Sequence, residues 1–303
     1  MKQAVVEIGT NSVKYTVAEL QEGAVAFVKD VNSVTRLGEG LDKTSVLSRE
    51  AMERTAAVAA DYVEQSHTDG AEQVEVIGTM ALRSARNSSD FAKRVKELAH
   101  TELRVISGEE EARLSFAAVR GEVQGSVTRD MLVFDMGGGS TEFVYSALGK
   151  ITRAFSINLG SVSLTENFLP SAPAPLSAVT RLKAVIRSEL VKNGVKGRPA
   201  YLVGTGGNLT TLFMVKEKTA EYDAEKLSGA VMSKTELEAL IKEIARRTID
   251  ERKAMRGMNP ARADVVLAGA CIVLSVMEIT ESRLVRLSLR GLRHAYLAEM
   301  LGR

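Results

Sequence analysis

The residues best suited to chemistry lie between positions 131 and 145, where an aspartate stands just before a glycine turn. An apolar run ends at Asp135, three glycines occupy positions 137–139, and alternating apolar residues follow, which predicts a strand, a turn and a second strand. Because glycine has no Cβ, the backbone N–H groups of this turn can close on an anion. An aspartate beside a phosphate requires a cation between them, so the pattern predicts a metal-dependent phosphate site. The alternative is a tight hairpin without a ligand, for which one or two glycines suffice.

The same pattern occurs a second time near the start of the chain. Residues 6–15 align without gaps with residues 134–143, so that Glu7 falls opposite Asp135. In both copies an apolar strand ends in a carboxylate, a glycine-containing turn follows, and an alternating strand leaves. A long-range internal repeat predicts two similar lobes that face each other across a cleft, with one phosphate turn from each lobe holding a polyanion.

Three consecutive glutamates open a predicted helix at Gly108. Ser107 and Glu110 have the spacing of a capping box, and Glu109 is favourable first-turn charge, so both glutamates have structural explanations. Glu111 lies one residue beyond the box and is the candidate for orienting an attacking water, because such positioning dominates loose phosphoryl transfer. The alternative for Glu111 is a solvated first-turn glutamate.

Two further segments join a predicted strand to a predicted helix. Arg83 follows the buried strand at 74–78, where its guanidinium suits bidentate contact with phosphate, although a surface arginine is the alternative. Asn87 is expected only to cap the next helix. The turn from Gly204 to Asn208 could hold a phosphate or approach a nucleotide base, and close packing explains it equally well. The turn at 137–139 is followed by a predicted strand, so it is not a dinucleotide fingerprint, and it lacks the Gly-Lys-Ser/Thr ending of a Walker loop.

Composition narrows the class of protein. The chain has 303 residues, 45% hydrophobic and 26% charged, which predicts a soluble globular protein of two domains. A net charge of only +2 argues against nucleic acid as a partner. The single cysteine, Cys271, is expected to be a buried filler in a reducing compartment, and the scattered residues His67, His100 and His294 show no zinc-site spacing.

No membrane partner is expected. The longest apolar run, at 265–277, is shorter than the roughly 20 residues that cross a bilayer. The first residues lead directly into a short strand and do not have the pattern of a signal peptide, so a cytoplasmic location is predicted.

The order of elements predicts an α/β fold with a duplicated plan. Strands are predicted at 4–8, 13–20, 24–34, 74–78 and 103–106, and then at 132–136, 141–147, 150–157, 201–203 and 284–287. Helices are predicted to begin near 48, 87 and 108, and to span 161–168, 178–191, 208–216, 234–247, 262–278 and 292–301. The first lobe is expected to cover residues 1–124, joined by a C-terminal helix at about 291–303. The second covers 125–290, with the boundary in the polar stretch 122–129.

Together these motifs resemble the exopolyphosphatase and guanosine pentaphosphate phosphohydrolase family (Ppx/GppA). The resemblance covers nearly the whole chain and rests on co-linear segments at 7–12, 36–41, 79–87, 106–113, 135–142 and 259–264. It implies a duplicated actin-like ATPase (ribonuclease H-like) fold with two lobes and a cleft between them, in agreement with the internal repeat.

The resemblance also implies roles for matching residues. Glu111 corresponds to the catalytic glutamate that orients or deprotonates water, and Asp135 to the metal-associated aspartate, with Glu142 in the same catalytic site. Mg²⁺, or another divalent cation, is the implied cofactor, with Asp135 and Glu7 as ligands. The implied phosphate cradle comprises Gly9, Asn11, Ser12, Arg83, Gly137, Gly138, Gly139 and Ser140.

Two features depart from the family pattern. The family usually has aspartate where this chain has Glu7, and the extra methylene moves the carboxylate by about 1 Å, a misplacement that can cost roughly a hundredfold in rate. Longer members continue into a helical domain that helps to bind long polyphosphate, whereas this chain stops at Arg303. A processive grip on long chains is therefore expected to need a dimer or another partner, and a homodimer is predicted.

The leading functional prediction is an exopolyphosphatase that releases orthophosphate from the end of inorganic polyphosphate. The nearest alternative is removal of the 5′ γ-phosphate from guanosine pentaphosphate (pppGpp). A third possibility, favoured by Glu7, is a weakly active sensor that binds polyphosphate or an alarmone. A sugar or acetate kinase of the same superfamily fits less well, because the glutamates at 109–111 and the Arg83 segment match the phosphatases.

Overall fold

A computed structural model describes residues 1–122, 129–219 and 221–302. Contacts between Cα atoms divide the chain into two compact units. Unit 1 comprises residues 1–118 and 292–303, and unit 2 comprises residues 119–291. The boundary predicted between residues 124 and 125 lies outside the described residues and stays a prediction.

Unit 1 is built on a five-stranded mixed sheet. Its strands are β1 (Lys2–Ile8), β2 (Ser12–Gln21), β3 (Ala24–Val34), β4 (Gln73–Gly78) and β5 (Leu103–Val105). They lie in the order β3-β2-β1-β4-β5. The pairs β3–β2 and β2–β1 are antiparallel, and the pairs β1–β4 and β4–β5 are parallel. The carboxyl ends of β1, β4 and β5 therefore meet at one edge of the sheet, which is where ligands gather in α/β folds.

Helices cover this sheet. They are α1 (Leu41–Thr44), α2 (Arg49–Thr68), α3 (Met80–Ser84), α4 (Ser88–Ala99) and α5 (Gly108–Glu122), and the C-terminal helix of the chain (Leu292–Met300) packs against β1 and β2. Helix α2 begins at Arg49 because the Ser48 hydroxyl accepts from Ala51 N–H, and its buried residues recur at helical spacing. The C-terminal helix completes a second core cluster with Val5, Ile77 and Leu114.

Unit 2 is built on a six-stranded sheet. Its strands are β6 (Met131–Met136), β7 (Thr141–Ala147), β8 (Lys150–Ile157), β9 (Tyr201–Thr205), β10 (Val231–Ser233) and β11 (Leu284–Leu287). They lie in the order β10-β11-β9-β6-β7-β8. The central strand β6 pairs antiparallel with β7 and parallel with β9, and its apolar residues are buried because helices cover the sheet.

Helices also cover the sheet of unit 2. They are α6 (Ser161–Phe168), α7 (Leu176–Lys192), α8 (Gly207–Glu217), α9 (Ala224–Leu227), α10 (Lys234–Ala245), α11 (Ile249–Lys253) and α12 (Val266–Ile279), with a 3-10 helix at Pro260–Arg262; the C-terminal helix is α13. Helix α12 is buried over almost its whole length and packs against α6, α7, α8 and α10. Cys271 lies within α12, where burial raises the pKa of its thiol to about 12, so it fills core volume as predicted.

The two sheets repeat one plan. Without the edge strand β10, the order β8-β7-β6-β9-β11 reproduces β3-β2-β1-β4-β5, with the same senses of pairing. The β2–β3 pair and the β7–β8 pair each carry a register shift, between Val17 and Ala18 in β2 and between Tyr145 and Ser146 in β7. Both shifts lie just beyond the aligned segments, and continuing the alignment without gaps places Val17 opposite Tyr145 and Ala18 opposite Ser146. The duplication thus extends to the irregularities of the backbone. The predicted duplicated α/β fold is confirmed.

Some local predictions were wrong. Asn87 precedes α4 but does not cap it, because its amide bonds both the N–H and the C=O of Leu47. The Ser107 hydroxyl does accept from Glu110 N–H, whereas the Glu110 carboxylate pairs with Arg104. Asn87 therefore fastens the loop before α2, and the cap at α5 is only half of a capping box.

Short elements were missed or merged. The helices α1, α3, α9 and α11 and the strand β10 span five residues or fewer, too few to show a period. The helix predicted at 262–278 is a 3-10 turn followed by α12, which begins at Val266. Across the residues that the structure describes, no helix combines the length and the apolar character that a membrane span requires.

Candidate active site

The triple-glycine turn of unit 2 is held by main-chain hydrogen bonds. Gly137 N–H donates to Ser140 O at 2.9 Å, which closes the hairpin between β6 and β7. From the other side, the first N–H groups of α6 bond the turn, Ser161 N–H to Gly137 O and Val162 N–H to Gly138 O, at 3.2 and 2.8 Å. Two turn carbonyls are thus fixed against α6. Within the described residues, the N–H groups of Gly138 and Gly139 donate to no backbone carbonyl, which suits them to an anion.

Gly160 allows α6 to approach this turn. A Cβ added at Gly160 would lie 2.2 Å from Gly138 O and 2.3 Å from Gly139 N. Any side chain at this position would therefore push α6 and the turn apart.

Asp135 is the penultimate residue of β6, close to the turn, and is partly buried. Glycines flank its carboxylate on two sides. A Cβ at Gly206 would lie 3.4 Å from Asp135 Oδ1, and one at Gly291 would lie 3.7 Å from Asp135 Oδ2. A side chain at either position would therefore contact an oxygen of this carboxylate.

Glu142 lies beside Asp135 on the neighbouring strand. The register of β6 and β7 pairs the two residues directly, and directly paired residues project to the same face of a sheet. Glu142 is only 2% exposed, and its Oε1 accepts hydroxyl hydrogen bonds from Ser140 and Ser156, both at 2.7 Å. The serines offset the cost of burying this carboxylate.

A divalent cation fits this pair of carboxylates. Magnesium prefers oxygen ligands, uses one or two protein carboxylates and keeps several waters. Asp135 and Glu142 supply two such groups on one face of the sheet. Among the described residues no cluster of three or more His, Cys, Asp or Glu side chains could hold a metal, so protein ligands alone would not complete its shell.

The first turn of unit 1 is closed in the same way as the turn of unit 2. Gly9 N–H donates to Ser12 O at 3.0 Å, the counterpart of the Gly137–Ser140 bond. In unit 2 the turn carbonyls accept hydrogen bonds from the start of α6; in unit 1 they accept them from the loop after β3. There, Arg36 N–H donates to Asn11 O and Gly38 N–H donates to Thr10 O. Asn11 is buried, and no acceptor for its Nδ2 lies within the described part of the chain. An amide donor in that state is suited to a phosphate oxygen.

Glu7 is paired differently from Asp135. The register of β1 and β2 sets Glu7 opposite Lys14, and the two side chains form an ion pair with Nζ 2.5 Å from Glu7 Oε1. Glu7 Oε2 is buried and has no hydrogen-bond partner in the described structure. Lys14 thus already neutralises the residue for which metal binding was predicted, and only Oε2 is available for that role, which stays a prediction.

We expect Lys14→Met to destabilise the protein by about 2 kcal/mol, because it leaves a buried carboxylate without its counter-charge. The value is below that of a fully buried pair, since the lysine is 24% exposed. The double change Glu7→Gln with Lys14→Met should recover at least half of the loss in thermal unfolding. Lys93→Met, at an exposed position of α4, is the control. Equal losses in the single and double variants would contradict the pairing.

Arg83 and Glu111 are brought together in unit 1. Arg83 Nη1 donates to Glu111 Oε2 at 2.8 Å and to Ile106 O at 3.0 Å. Glu111 is buried in the first turn of α5, so it is not the solvated glutamate of the alternative interpretation. The guanidinium therefore fixes the orientation of the carboxylate that was predicted to act on water.

The glycine turn after β9 serves close packing. A Cβ at Gly204 would lie 2.5 Å from Phe134 and Leu209, one at Gly206 would lie 2.4 Å from Met136 O, and one at Gly207 would lie 2.5 Å from Arg262. Gly206 also has φ +112°, which disfavours any other residue. The packing explanation of this turn is therefore sufficient.

Several residues at these sites were not predicted. Lys14 and Ser156 are cross-strand neighbours of Glu7 and Glu142, and Gly160 is identified only by its contact with the turn. The aligned segments contain one signal for Lys14, because it falls opposite Glu142 in the repeat.

Comparison with known proteins shows the family. The profile of the Ppx/GppA phosphatase family matches residues 16–303. The chain belongs to this family. The matched residues begin after the first turn, so Glu7, Gly9, Asn11 and Ser12 lie outside them. Membership in the Ppx/GppA phosphatase family confirms the predicted enzyme class, a hydrolase of phosphoanhydrides.

Individual relatives agree with this membership. Exopolyphosphatase 2 from Mycobacterium tuberculosis is 32% identical over 283 residues, which cover 89% of this chain and 88% of the relative. The crystal structure of the Aquifex aeolicus Ppx/GppA family member superposes with a TM-score of 0.83 at 31% identity, covering 100% and 98% of the two chains. The crystal structure of a Cytophaga hutchinsonii exopolyphosphatase superposes with a TM-score of 0.90 at 24% identity, covering 100% of this chain and 98% of that one. This similarity supports the fold alone.

Proposed function

We propose that this chain hydrolyses the terminal phosphoanhydride bond of inorganic polyphosphate and releases orthophosphate. The observation that carries the proposal is the pair Asp135 and Glu142, which lies beside a turn whose carbonyls are bonded to α6 and whose amides suit an anion. The relative called Exopolyphosphatase 2, at 32% identity, supports polyphosphate as the substrate.

In the proposed reaction, Glu111 accepts a proton from the attacking water. The water oxygen bonds to the terminal phosphorus, the bond from that phosphorus to the bridging oxygen breaks, and a polyphosphate shorter by one unit leaves. Arg83 holds the Glu111 carboxylate through its 2.8 Å contact, so the base is already oriented before the substrate arrives.

The remaining proposed residues bind phosphate oxygens. In unit 2 these are the backbone N–H groups of Gly138 and Gly139, because Gly137 N–H already donates to Ser140 O and the Ser140 hydroxyl to Glu142 Oε1. In unit 1 they are Asn11 Nδ2 and Arg83, with the turn from Gly9 to Ser12. Mg²⁺, held by Asp135 with Glu142 as a further candidate ligand, would offset the charge of the phosphates. Most of these groups are neutral amides. We therefore expect selectivity for phosphoanhydrides to depend on the charge and the shape of the substrate.

Phosphate release from polyphosphate and from pppGpp, each with Mg²⁺, tests this proposal. We expect the higher kcat/KM with polyphosphate and little release after chelation of the metal. A higher value with pppGpp would assign the other activity of the family. Consumption of nucleoside triphosphates with no release from either substrate would contradict the proposal.

A sensor of polyphosphate is a second candidate, favoured by the Glu7–Lys14 ion pair, because that pair withdraws one carboxylate oxygen from metal binding. Calorimetric binding of polyphosphate without any phosphate release would support the sensor. We also propose a cytoplasmic location, since the single buried Cys271 fits a reducing compartment. The homodimer stays a prediction, which sedimentation of the full chain would test.

A further inference from the structure

Ser156 makes a specific contact whose role has not been assigned. Its hydroxyl donates to Glu142 Oε1 at 2.7 Å, and the Ser140 hydroxyl donates to the same oxygen at 2.7 Å. Neither serine uses Oε2. Two hydroxyl donors on one oxygen fix the plane of a carboxylate more firmly than one donor does.

The contact belongs to a row that crosses four strands. Thr205 on β9 pairs with Asp135, Asp135 with Glu142, and Glu142 with Ser156. Residues paired directly in a sheet project to the same face, so Ser156 ends the row that contains both carboxylates. The Thr205 hydroxyl donates to Arg290 O at 3.0 Å, which fixes the other end.

The position of Ser156 is itself fixed. The preceding residue, Phe155, stacks on Phe143 and Tyr145 at centroid distances of 5.5 and 6.4 Å, and the Arg153 guanidinium covers its ring at 4.1 Å. This packing anchors β8 against β7, the strand that carries Glu142. The hydroxyl of Ser156 therefore meets the carboxylate without further rearrangement.

Burial alone does not require such a contact. Ser146 lies on the same sheet, in β7, and its buried hydroxyl has no partner in the described structure. A serine in this sheet can thus be accommodated by packing only, whereas Ser156 and Ser140 converge on one oxygen of a 2% exposed carboxylate.

We propose that Ser156 is a positioning residue for the reaction: it holds the Glu142 carboxylate beside Asp135 and acts only through Glu142. This rests on the proposed function, in which those two carboxylates serve phosphoanhydride hydrolysis. Ser140 has two tasks, because it also closes the turn proposed to bind phosphate. Ser156 only holds the Glu142 carboxylate. Removing its hydroxyl should therefore impair turnover without weakening substrate binding.

The kinetic test compares Ser156→Ala, Ser156→Thr and the matched control Ser146→Ala on polyphosphate. For Ser156→Ala we expect kcat to fall about tenfold with KM within twofold, the lower end of what outer-sphere partners of ligating carboxylates cost. Ser156→Thr keeps a hydroxyl and should stay within about threefold of the original kcat. Ser146→Ala should match the original protein. An unchanged kcat in Ser156→Ala, or a rise in KM alone, would overturn the proposal.

A second measurement needs no turnover. The melting temperatures of Ser156→Ala, Glu142→Gln and the double variant form a cycle, and we expect the double variant to melt higher than the sum of the single losses predicts. Strictly additive losses would show that Ser156 does not hold Glu142 and would overturn the proposal. If the original protein releases no phosphate from polyphosphate or pppGpp, the proposed function fails, and this cycle still decides the Ser156 contact.

Discussion

Glu111→Gln is expected to lower kcat for phosphate release about 10³-fold while the protein stays folded. Glutamine keeps the length of the side chain and an oxygen that can accept from Arg83 Nη1, which lies 2.8 Å from Glu111 Oε2. It cannot take a proton from water, and that is the step proposed for Glu111. We expect KM to change less than threefold, and steady-state phosphate release measures both constants.

Glu109→Gln is the matched control, because Glu109 is an exposed glutamate of the same helical turn. Its kcat should stay within about twofold of the original value, because the variant loses only the favourable interaction of an exposed negative charge with the helix dipole. If the two variants showed the same kcat, Glu111 would have no part in proton transfer.

Gly160→Ala is expected to lower kcat/KM about 100-fold. The new Cβ would lie 2.2 Å from Gly138 O and 2.3 Å from Gly139 N, and both contacts are with backbone that cannot rotate away. The turn must therefore move by about 1 Å, and a displacement of that order at a binding group can cost a hundredfold. Phosphate-release kinetics together with calorimetric affinity for polyphosphate would measure the effect.

Gly121→Ala makes the same change where a Cβ meets nothing within 4 Å, at an exposed position in α5. There alanine favours the helix, so the melting temperature should stay equal or rise slightly. The outcome against this prediction is a Gly160→Ala variant that is active and binds polyphosphate as tightly as Gly121→Ala does. The geometry of the turn would then not matter for substrate binding.

Much of the fold was predictable because its signals are local. The alternation of apolar residues located the hairpins at β1–β3 and β6–β8, and the repeat of an acidic strand end followed by a glycine turn predicted the duplication. The short helices α1, α3, α9 and α11 were missed because one turn of helix shows no period. Asn87 was misjudged because Leu47, its partner, is distant in sequence and not on α4.

The candidate site was predictable in outline only. Asp135, Glu142 and the glycines stand close together in sequence, and their spacing alone suggests a phosphate turn. The contacts that hold the carboxylates depend instead on strand register, which a sequence pattern does not fix across a hairpin loop. Ser156 meets Glu142 and Lys14 meets Glu7 through such registers.

The two closing hydrogen bonds, Gly9 to Ser12 and Gly137 to Ser140, have a consequence for how the halves can diverge. Main-chain atoms shape each turn. The charges of the side chains on the neighbouring pair of residues can therefore change without altering the turn. One copy now carries Glu7 with Lys14, a self-contained pair of opposite charges, and the other carries Asp135 with Glu142, two like charges that attract cations. One difference in charge, Lys14 against Glu142, thus makes one pair neutral and the other doubly negative on the same inherited backbone.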